Sequence, residues 1–329
     1  VHFGAIAVVD PAGNLFAWYG DPMVETYLRS SAKPFQALPL VEMGGVERFQ
    51  MTEAELAVTC ASHSGTDIHL RTIYELQAKI GISKDDLHCG THQPFDSATR
   101  ALLRDRGEQP TTNHHNCSGK HTGMLGQAKL MNADLEDYTE IDHPVQQNIL
   151  SIVSELCQIP VDRIQIGRDG CSVPTFSMPL IHAARGWARL SDPRELPSNI
   201  KKACQKITSA MQSAPFLVAG PGRIDTAIMQ CLPGKIVSKA GAEAFQALNI
   251  PPGILKKGSP ALGIVIKVAD GDHRKQARRA VYIEVLKQLK LLTPDNLKAL
   301  SEYGPDIPIL NQRRILTGWG KPCFQLQYS

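Results

Sequence analysis

A chain of 329 residues can bury a sizeable core, as one large domain or as two lobes. Charged residues make up 20% and the formal net charge is only +3, which gives no broad electrostatic footprint for nucleic acid. No run of about 20 uninterrupted apolar residues occurs, so no membrane helix is expected.

From the N-terminus, Ala5 to Val9, the turn-forming Asp10-Pro11-Ala12-Gly13-Asn14 and Leu15 to Tyr19 read as two strands around a turn. The start at Val1 is apolar without a charged n-region; it does not read as a signal peptide but as a processed or trimmed start. Ser30 to Lys33 opens a helix, and Pro34 fits its early turn, where a missing N–H costs little. Glu55 to Thr59 reads as a short buried strand that delivers Ser62 to its end. Asp142-His143-Pro144 marks a helix start, with Val145, Ile149, Ile152 and Leu156 following at helical spacing and a stop before Pro160. Ala184-Arg185-Gly186 is a local break, and Gly220-Pro221-Gly222 lacks the Lys-Ser/Thr that completes a phosphate loop, so it reads as a turn. Leu262 to Val268, the Asp270-Gly271-Asp272 turn and Arg274 to Leu292 read as strand, turn and long helix. Lys256-Lys257 and Arg278-Arg279 read as solvated basic faces.

Strands toward both ends with helices between them give an α+β fold: an antiparallel sheet formed by both termini, with flanking helices and a more helical middle. No Ser- or Gly-rich linker and no repeat divides the chain. Eight cysteines are scattered rather than framed. Without a secretion signal they suggest reduced thiols and a cytoplasmic setting, most of them packing in the core as small hydrophobes.

Chemistry concentrates in three short stretches: Ser30-Ser31-Ala32-Lys33, Ser62-His63-Ser64 and Lys239-Ala240-Gly241. Their order follows the S-x-x-K, S-x-N and K-T-G pattern of penicillin-interacting serine acyltransferases, with Ser64 in place of Asn and Ala240 in place of Thr. A serine hydroxyl needs a base within hydrogen-bond reach to act as a nucleophile. Positions three apart on a helix share a face, so Ser30 and Lys33 are expected to touch. A Lys serves as base only when neutral, which needs burial or a second cation, and Lys239 is the candidate for that cation. An isolated S-x-x-K is common, and an exposed helical Lys usually just sits in solvent. Residues 1–329 are read together as a single catalytic domain.

A second constellation lies in His115-Asn116-Cys117-Ser118-Gly119-Lys120-His121, and Asp169-Gly170-Cys171 repeats its theme. Two thiolates and a carboxylate could hold Zn²⁺ with one further ligand, although the spacing is not that of a zinc finger. A neutral Lys can also donate its amine to a metal. The competing reading is a pair of buried thiols beside a polar turn.

The blocks Arg29-Ser30-Ser31-Ala32-Lys33-Pro34, Cys60-Ala61-Ser62-His63-Ser64, Asn116 to Leu125, Asp169-Gly170-Cys171, Val218 to Arg223 and Lys239-Ala240-Gly241-Ala242 resemble the signature blocks of the L-asparaginase II family, the rhizobial-type class. The similarity runs over nearly the whole chain, and the long block around Cys117 is the most specific. The resemblance implies a fold related to serine β-lactamases and glutaminases, usually a homodimer, hydrolysing L-asparagine to L-aspartate and ammonia. It implies two Ser-Lys pairs, Ser30 with Lys33 and Ser62 with Lys239. It places Cys117, Lys120, Asp169 and Cys171 on zinc-ligand positions, with the metal tied to substrate binding rather than to activating the nucleophile. A Ser at position 64 is compatible with this family; the start at Val1 is shorter than the family's. Arg29 or Arg223 is a candidate for the substrate carboxylate, a task suited to a planar fork of donors, and His121 for a hydrogen bond to substrate. A penicillin-interacting acyltransferase, a glutaminase and a non-catalytic amino-acid-binding protein stand as alternatives. None of these readings calls for a nucleic-acid or membrane partner.

Overall fold

Turn chemistry closes the first hairpin where the sequence places it. In the computed structural model, which describes residues 1–274 and 276–329, β1 (Gly4–Val9) and β2 (Leu15–Tyr19) pair antiparallel with Ala7 opposite Trp18. Asp10 holds the turn by accepting from the Asn14 backbone N–H and side-chain amide. β3 (Glu25–Tyr27), β4 (Gln165–Arg168) and β5 (Pro174–Pro179) form a small antiparallel sheet in the order β3-β5-β4. Five further strands follow: β6 (Val237–Ala240), β7 (Phe245–Ile250), β8 (Leu262–Val268), β9 (Ile307–Leu310) and β10 (Leu316–Gly320). The last, β11 (Gln327–Tyr328), completes a six-stranded sheet in the order β11-β2-β1-β8-β7-β6. Its described pairs are antiparallel, and both ends of the chain contribute strands, which is the expected α+β arrangement.

The middle of the chain is helical. The helices in chain order are α1 (Lys33–Glu42), α2 (Gly45–Arg48), α3 (Glu53–Thr59), α4 (Asp67–Ile80) and α5 (Ser97–Asp105). They continue as α6 (Ser118–Met131), α7 (Pro144–Cys157), α8 (Leu180–Ser191) and α9 (Ser198–Ser213). The rest are α10 (Pro215–Val218), α11 (Ile224–Cys231), α12 (Ala277–Gln288) and α13 (Pro294–Ala299). α7 runs as its periodicity predicts and ends with Gln158 in the left-handed region, ahead of Pro160. α1 packs against α6, α7 and α9, and α3 against α4, α6 and α9. α8 lies across β1, β7 and β8, and α12 packs on β7 and β8. Successive residues of β7 are all buried, Gln246 and Asn249 included, so both faces of this part of the sheet are covered. The buried apolar residues from Ala5 to Leu326 join in one cluster. Among the described residues no helix is long and apolar enough to cross a membrane.

Four sequence expectations are corrected. α8 runs unbroken through Ala184-Arg185-Gly186, where a local break is expected. Glu55 to Thr59 is helix, not strand: Thr52 and Glu55 form a capping box in which each side chain accepts from the other's backbone N–H. A five-residue apolar run does not by itself distinguish the two states, whereas the Thr-x-x-Glu start does. The long helix predicted over 274–292 is shorter. Asp272 caps it by accepting from the Gln276 and Arg278 N–H groups, and Lys290 in the left-handed region ends it; Lys275 lies outside the described residues. Arg278 is not on a solvated face but buried, its guanidinium donating to the carbonyls of Gly241 and Phe245 across the β6–β7 turn.

The closest approach of helix to sheet falls at Gly263 on β8, where an added Cβ would stand 1.8 Å from the Ala184 carbonyl oxygen of α8. A methyl group there must push backbone from backbone. Gly263→Ala is expected to lower the urea midpoint of unfolding by the equivalent of about 1–3 kcal/mol or more. An unchanged midpoint would mean that α8 does not lie this close.

Candidate active site

Three separate elements converge on Ser62. α3 ends at Thr59, and the chain then turns so that the Ser62 N–H donates to the Val218 carbonyl at 3.0 Å. Lys33 enters from the first turn of α1 and Lys239 from β6, and both are almost wholly buried. Lys33 Nζ lies 3.0 Å and Lys239 Nζ 2.9 Å from Ser62 Oγ. The remaining hydrogens of Lys33 go to the carbonyls of Ala61 and Asn116, and Lys239 also donates to the Ala240 carbonyl. Burial, reinforced by the neighbouring charge of Lys33, holds the Lys239 ammonium well below its ordinary range, despite the opposing charge of Asp225. The depressed amine is therefore Lys239 itself, which the sequence had cast as the cation acting on Lys33.

Ser30 sits differently from expectation. It lies in a 3₁₀ turn, Arg29–Ala32, that runs into α1, and it is half-buried. Its hydroxyl makes no hydrogen bond to Lys33, whose amine points to Ser62 instead. The preceding Arg29 adopts φ 52°, a left-handed conformation uncommon for a residue with a side chain, and ion pairs to Asp169 and Glu243 fix it there. The same turn packs against β5, β6 and β7.

The second constellation assembles as well. Cys117 caps the start of α6, Lys120 follows one turn later, and Asp169 and Cys171 stand on the tight turn between β4 and β5. Lys120 Nζ lies 2.9 Å from Cys171 Sγ. The two thiols are tightly coupled, and a hydrogen bond from Cys171 together with Lys33 and Lys120 lets the negative charge settle on Cys117, held well below the usual thiol range. Burial works against charge at Lys120 and Asp169. The thiols raise the lysine all the same, while Lys120 and Arg29 lower the carboxyl. Arg29 and the Gly170 N–H all bind Asp169 Oδ1, leaving Oδ2 without such a bond. His121 is fully buried: Nδ1 shares a 2.7 Å hydrogen bond with Tyr138, and Nε2 has no partner. Burial lowers this imidazole to about 4, against the raising effect of Cys171.

Among the described residues no three His, Cys, Asp or Glu side chains form a metal-holding group by themselves. Two sulfurs, the Lys120 amine and the free Asp169 oxygen are nevertheless the donor types of a borderline-soft cation, and the buried, unpartnered His121 nitrogen beside them is the kind of polar atom such a centre satisfies. The residues fit a metal in chemistry.

The two candidate arginines separate clearly. Arg29 is committed to its carboxylates. The Arg223 side chain makes no hydrogen bond or ion pair among the described residues; its guanidinium stands 5.5 Å from the centre of the Phe95 ring, and burial lowers its proton affinity. Its charge also acts on Lys239, lowering that ammonium's proton affinity. His121, behind the thiols, is placed at the metal-candidate cluster.

Several site residues escaped the sequence reading. Asn116 accepts from Lys33 through its carbonyl and bonds His92 through its side chain and N–H; its place directly before Cys117 is the signal that could have found it. His63, stacked on His69, shares a hydrogen bond with Ser118. Asp225 sits behind β6 with no motif to mark it. Gly220 has a steric reason: at φ +116° an added Cβ would stand 2.5 Å from Ser64 Oγ, so the Gly-Pro-Gly run is a packing turn, as expected.

A thiolate at Cys117 is directly observable. In metal-free protein, ultraviolet thiolate absorption should persist well below the ordinary cysteine pKa of about 8.5 and disappear in Cys117→Ser. Absorption that appears only above that value in the wild type would contradict the charge placement.

Comparison with known proteins places these observations. The family model described as L-asparaginase II matches residues 1–320. No curated protein matches. Among solved structures, a probable glutaminase from Bacillus subtilis complexed with 6-diazo-5-oxo-L-norleucine is similar at 13% identity and TM-score 0.43, over 88% of this chain and 84% of that one. A Bacillus glutaminase solved in the presence of 4.3 M NaCl is similar at 14% identity and TM-score 0.42, over 88% and 91% of the two chains.

Proposed function

The chain belongs to the L-asparaginase II family and is an amidohydrolase acting on a small molecule, and from that premise we propose that it converts L-asparagine to L-aspartate and ammonia through an acyl-enzyme built on a Ser-Lys system. The observation that carries this reading is Ser62 Oγ held between two buried lysine amines at 3.0 and 2.9 Å. A hydroxyl has one hydrogen and two lone pairs, so beside a charged and a neutral amine it can accept from the first and donate to the second. Lys239 is the amine whose proton affinity burial lowers, so in this reading it takes the Ser62 hydrogen while Lys33 donates.

Ser30 is the half-exposed hydroxyl, three residues ahead of Lys33 and on its side of the helix start. In this mechanism Ser30 attacks the side-chain carboxamide carbon and its proton moves to Lys33 as Lys33 passes one to Ser62 and Ser62 passes one to Lys239. The tetrahedral adduct collapses when the proton returns along the same path to the leaving nitrogen, releasing ammonia and leaving an aspartyl ester. Water, deprotonated by the same relay, then cleaves the ester. The unpaired Arg223 fork takes the substrate carboxylate.

Cys117, Lys120, Cys171 and Asp169 would hold Zn²⁺. When bound, the ion supplies a fixed positive charge that orients a polar substrate group. The thiols and Asp169 become its ligands in place of partners to Lys120, and His121 supports them from behind. The reading extends to a homodimer in a reducing, cytoplasmic setting, which the eight unpaired cysteines suit.

One observation favours a second assignment of the nucleophile: Ser62 already touches both lysines, whereas Ser30 does not touch Lys33. Peptide mass spectrometry of enzyme quenched during turnover distinguishes the two, with an aspartyl adduct on the peptide holding Ser30 expected. Ser30→Ala, Lys33→Ala and Lys239→Met should each reduce ammonia release by roughly 10²–10⁴-fold in folded protein. Near-normal turnover in Ser30→Ala would remove it as nucleophile. Glutamine, assayed alongside, differs by one methylene worth about 1–3 kcal/mol, and a preference for it would reassign the substrate; labelling by a fluorescent β-lactam would favour the acyltransferase alternative.

Elemental analysis of untagged protein should find about one zinc per chain. The content should fall to background in the Cys117→Ala, Cys171→Ala double variant, and zinc retained there would place the metal elsewhere.

A further inference from the structure

Asp225 is a buried charge that the chemistry above leaves unused. It is 1% exposed, in the first turn of α11. Its Oδ1 accepts from Ser238 Oγ at 2.7 Å and Gln246 Nε2 at 2.9 Å, and its Oδ2 from the Ala240 N–H at 2.8 Å. β6 ends the sheet order, so this N–H would otherwise be an open edge donor. The bonds grip the residues on either side of Lys239, and Tyr282 of α12 reinforces them by donating to Ser238 Oγ at 2.9 Å. Side chains alternate along a strand, so Ser238 faces Asp225 and Tyr282 while Lys239 points to Ser62.

Capping a strand edge does not require a full charge, since a neutral amide oxygen accepts the same N–H. A buried carboxylate is costly unless another charge answers it. The charges facing Lys239 are Lys33 from α1, Arg223 ahead of α11 and Cys117 ahead of α6, with the neutral Cys60 thiol beyond α3. Arg278 of α12 and Lys239 itself stand against Asp225. Two cations thus press on Lys239 from the side of the site, and Asp225 answers them from behind the strand.

We propose that Asp225 is a positioning residue for Lys239: its carboxylate fixes the strand on both sides of the lysine and supplies the negative charge against which the lysine takes up and returns its proton. The proposal rests on Lys239 serving as the base. Without that charge the amine would still be reached by Ser62 but would hold a proton less firmly. The relay would then lose its acceptor strength while keeping its geometry.

The test measures kcat/KM for ammonia release against pH in Asp225→Asn and Arg278→Gln. In parallel, carbon NMR of protein isotopically labelled at lysine Cε follows Lys239 directly, its signal identified by loss in Lys239→Met. The base must be neutral, so activity falls as pH drops through the folded-state pKa of Lys239. Asp225→Asn should move both the NMR midpoint and the acid limb to lower pH. Arg278→Gln, which removes a cation beside Asp225, should move both to higher pH. A merely structural Asp225 would lower the rate at every pH with midpoint and limb unmoved, and that result overturns the proposal. Should Asp225→Asn fail to fold, Arg278→Gln decides alone, an unmoved or lowered midpoint being the contrary result. A midpoint that shifts as expected while the acid limb stays fixed leaves the coupling standing and removes Lys239 as the base.

Discussion

Two lysine amines brought into the interior to share one serine hydroxyl set the terms for the rest of the structure. Burying an amine is tolerable only when each hydrogen finds an acceptor and the charge is answered or given up. Lys33 meets the first condition with the Ala61 and Asn116 carbonyls and Ser62. At Lys239 burial and the charge of Lys33 hold the ammonium well below its ordinary range, against Asp225. The surrounding backbone follows from these needs: α3 must end at Thr59 so that the Ala61 carbonyl turns inward, and the edge of β6 must be held from behind.

The amine centre and the thiol cluster share a wall. Asn116 gives its carbonyl to Lys33, and the next residue, Cys117, stands at the start of α6 with its thiol held well below the usual range by Cys171, Lys33 and Lys120. Arg29 closes the other side through Asp169 and Glu243. Gly119 lets α6 start this close to α3, since an added Cβ would meet the Val58 carbonyl at 2.2 Å. The charges of the two constellations act on each other, Cys117 on Lys239 and Lys33 on Cys117.

Local signals told most where they were self-contained. The Asp-Pro-Ala-Gly-Asn turn between two apolar runs specified the first hairpin, and the His143-Pro144 start with its 3.6-residue spacing specified α7. They misled where a short segment is compatible with two states. Glu55 to Thr59 has the composition of a strand, and only the cap at Thr52 turns it into a helix. The Arg278-Arg279 pair looked like surface because charge usually is, but the β6–β7 turn offers Arg278 two carbonyls that pay for its burial.

By itself the sequence determined the family, the sheet built from both ends, and where the Ser, Lys and Cys motifs lie, because motifs and periodicity are properties of short stretches. Tertiary structure alone decided that Lys33 bonds Ser62 rather than Ser30, that Lys239 is the depressed amine, that the Arg223 side chain and not that of Arg29 lacks an ion pair, and that Asp225 holds the strand on both sides of Lys239. Each of these depends on distances between residues tens to hundreds of positions apart and on how far burial strips them of water, neither of which is written in any local pattern.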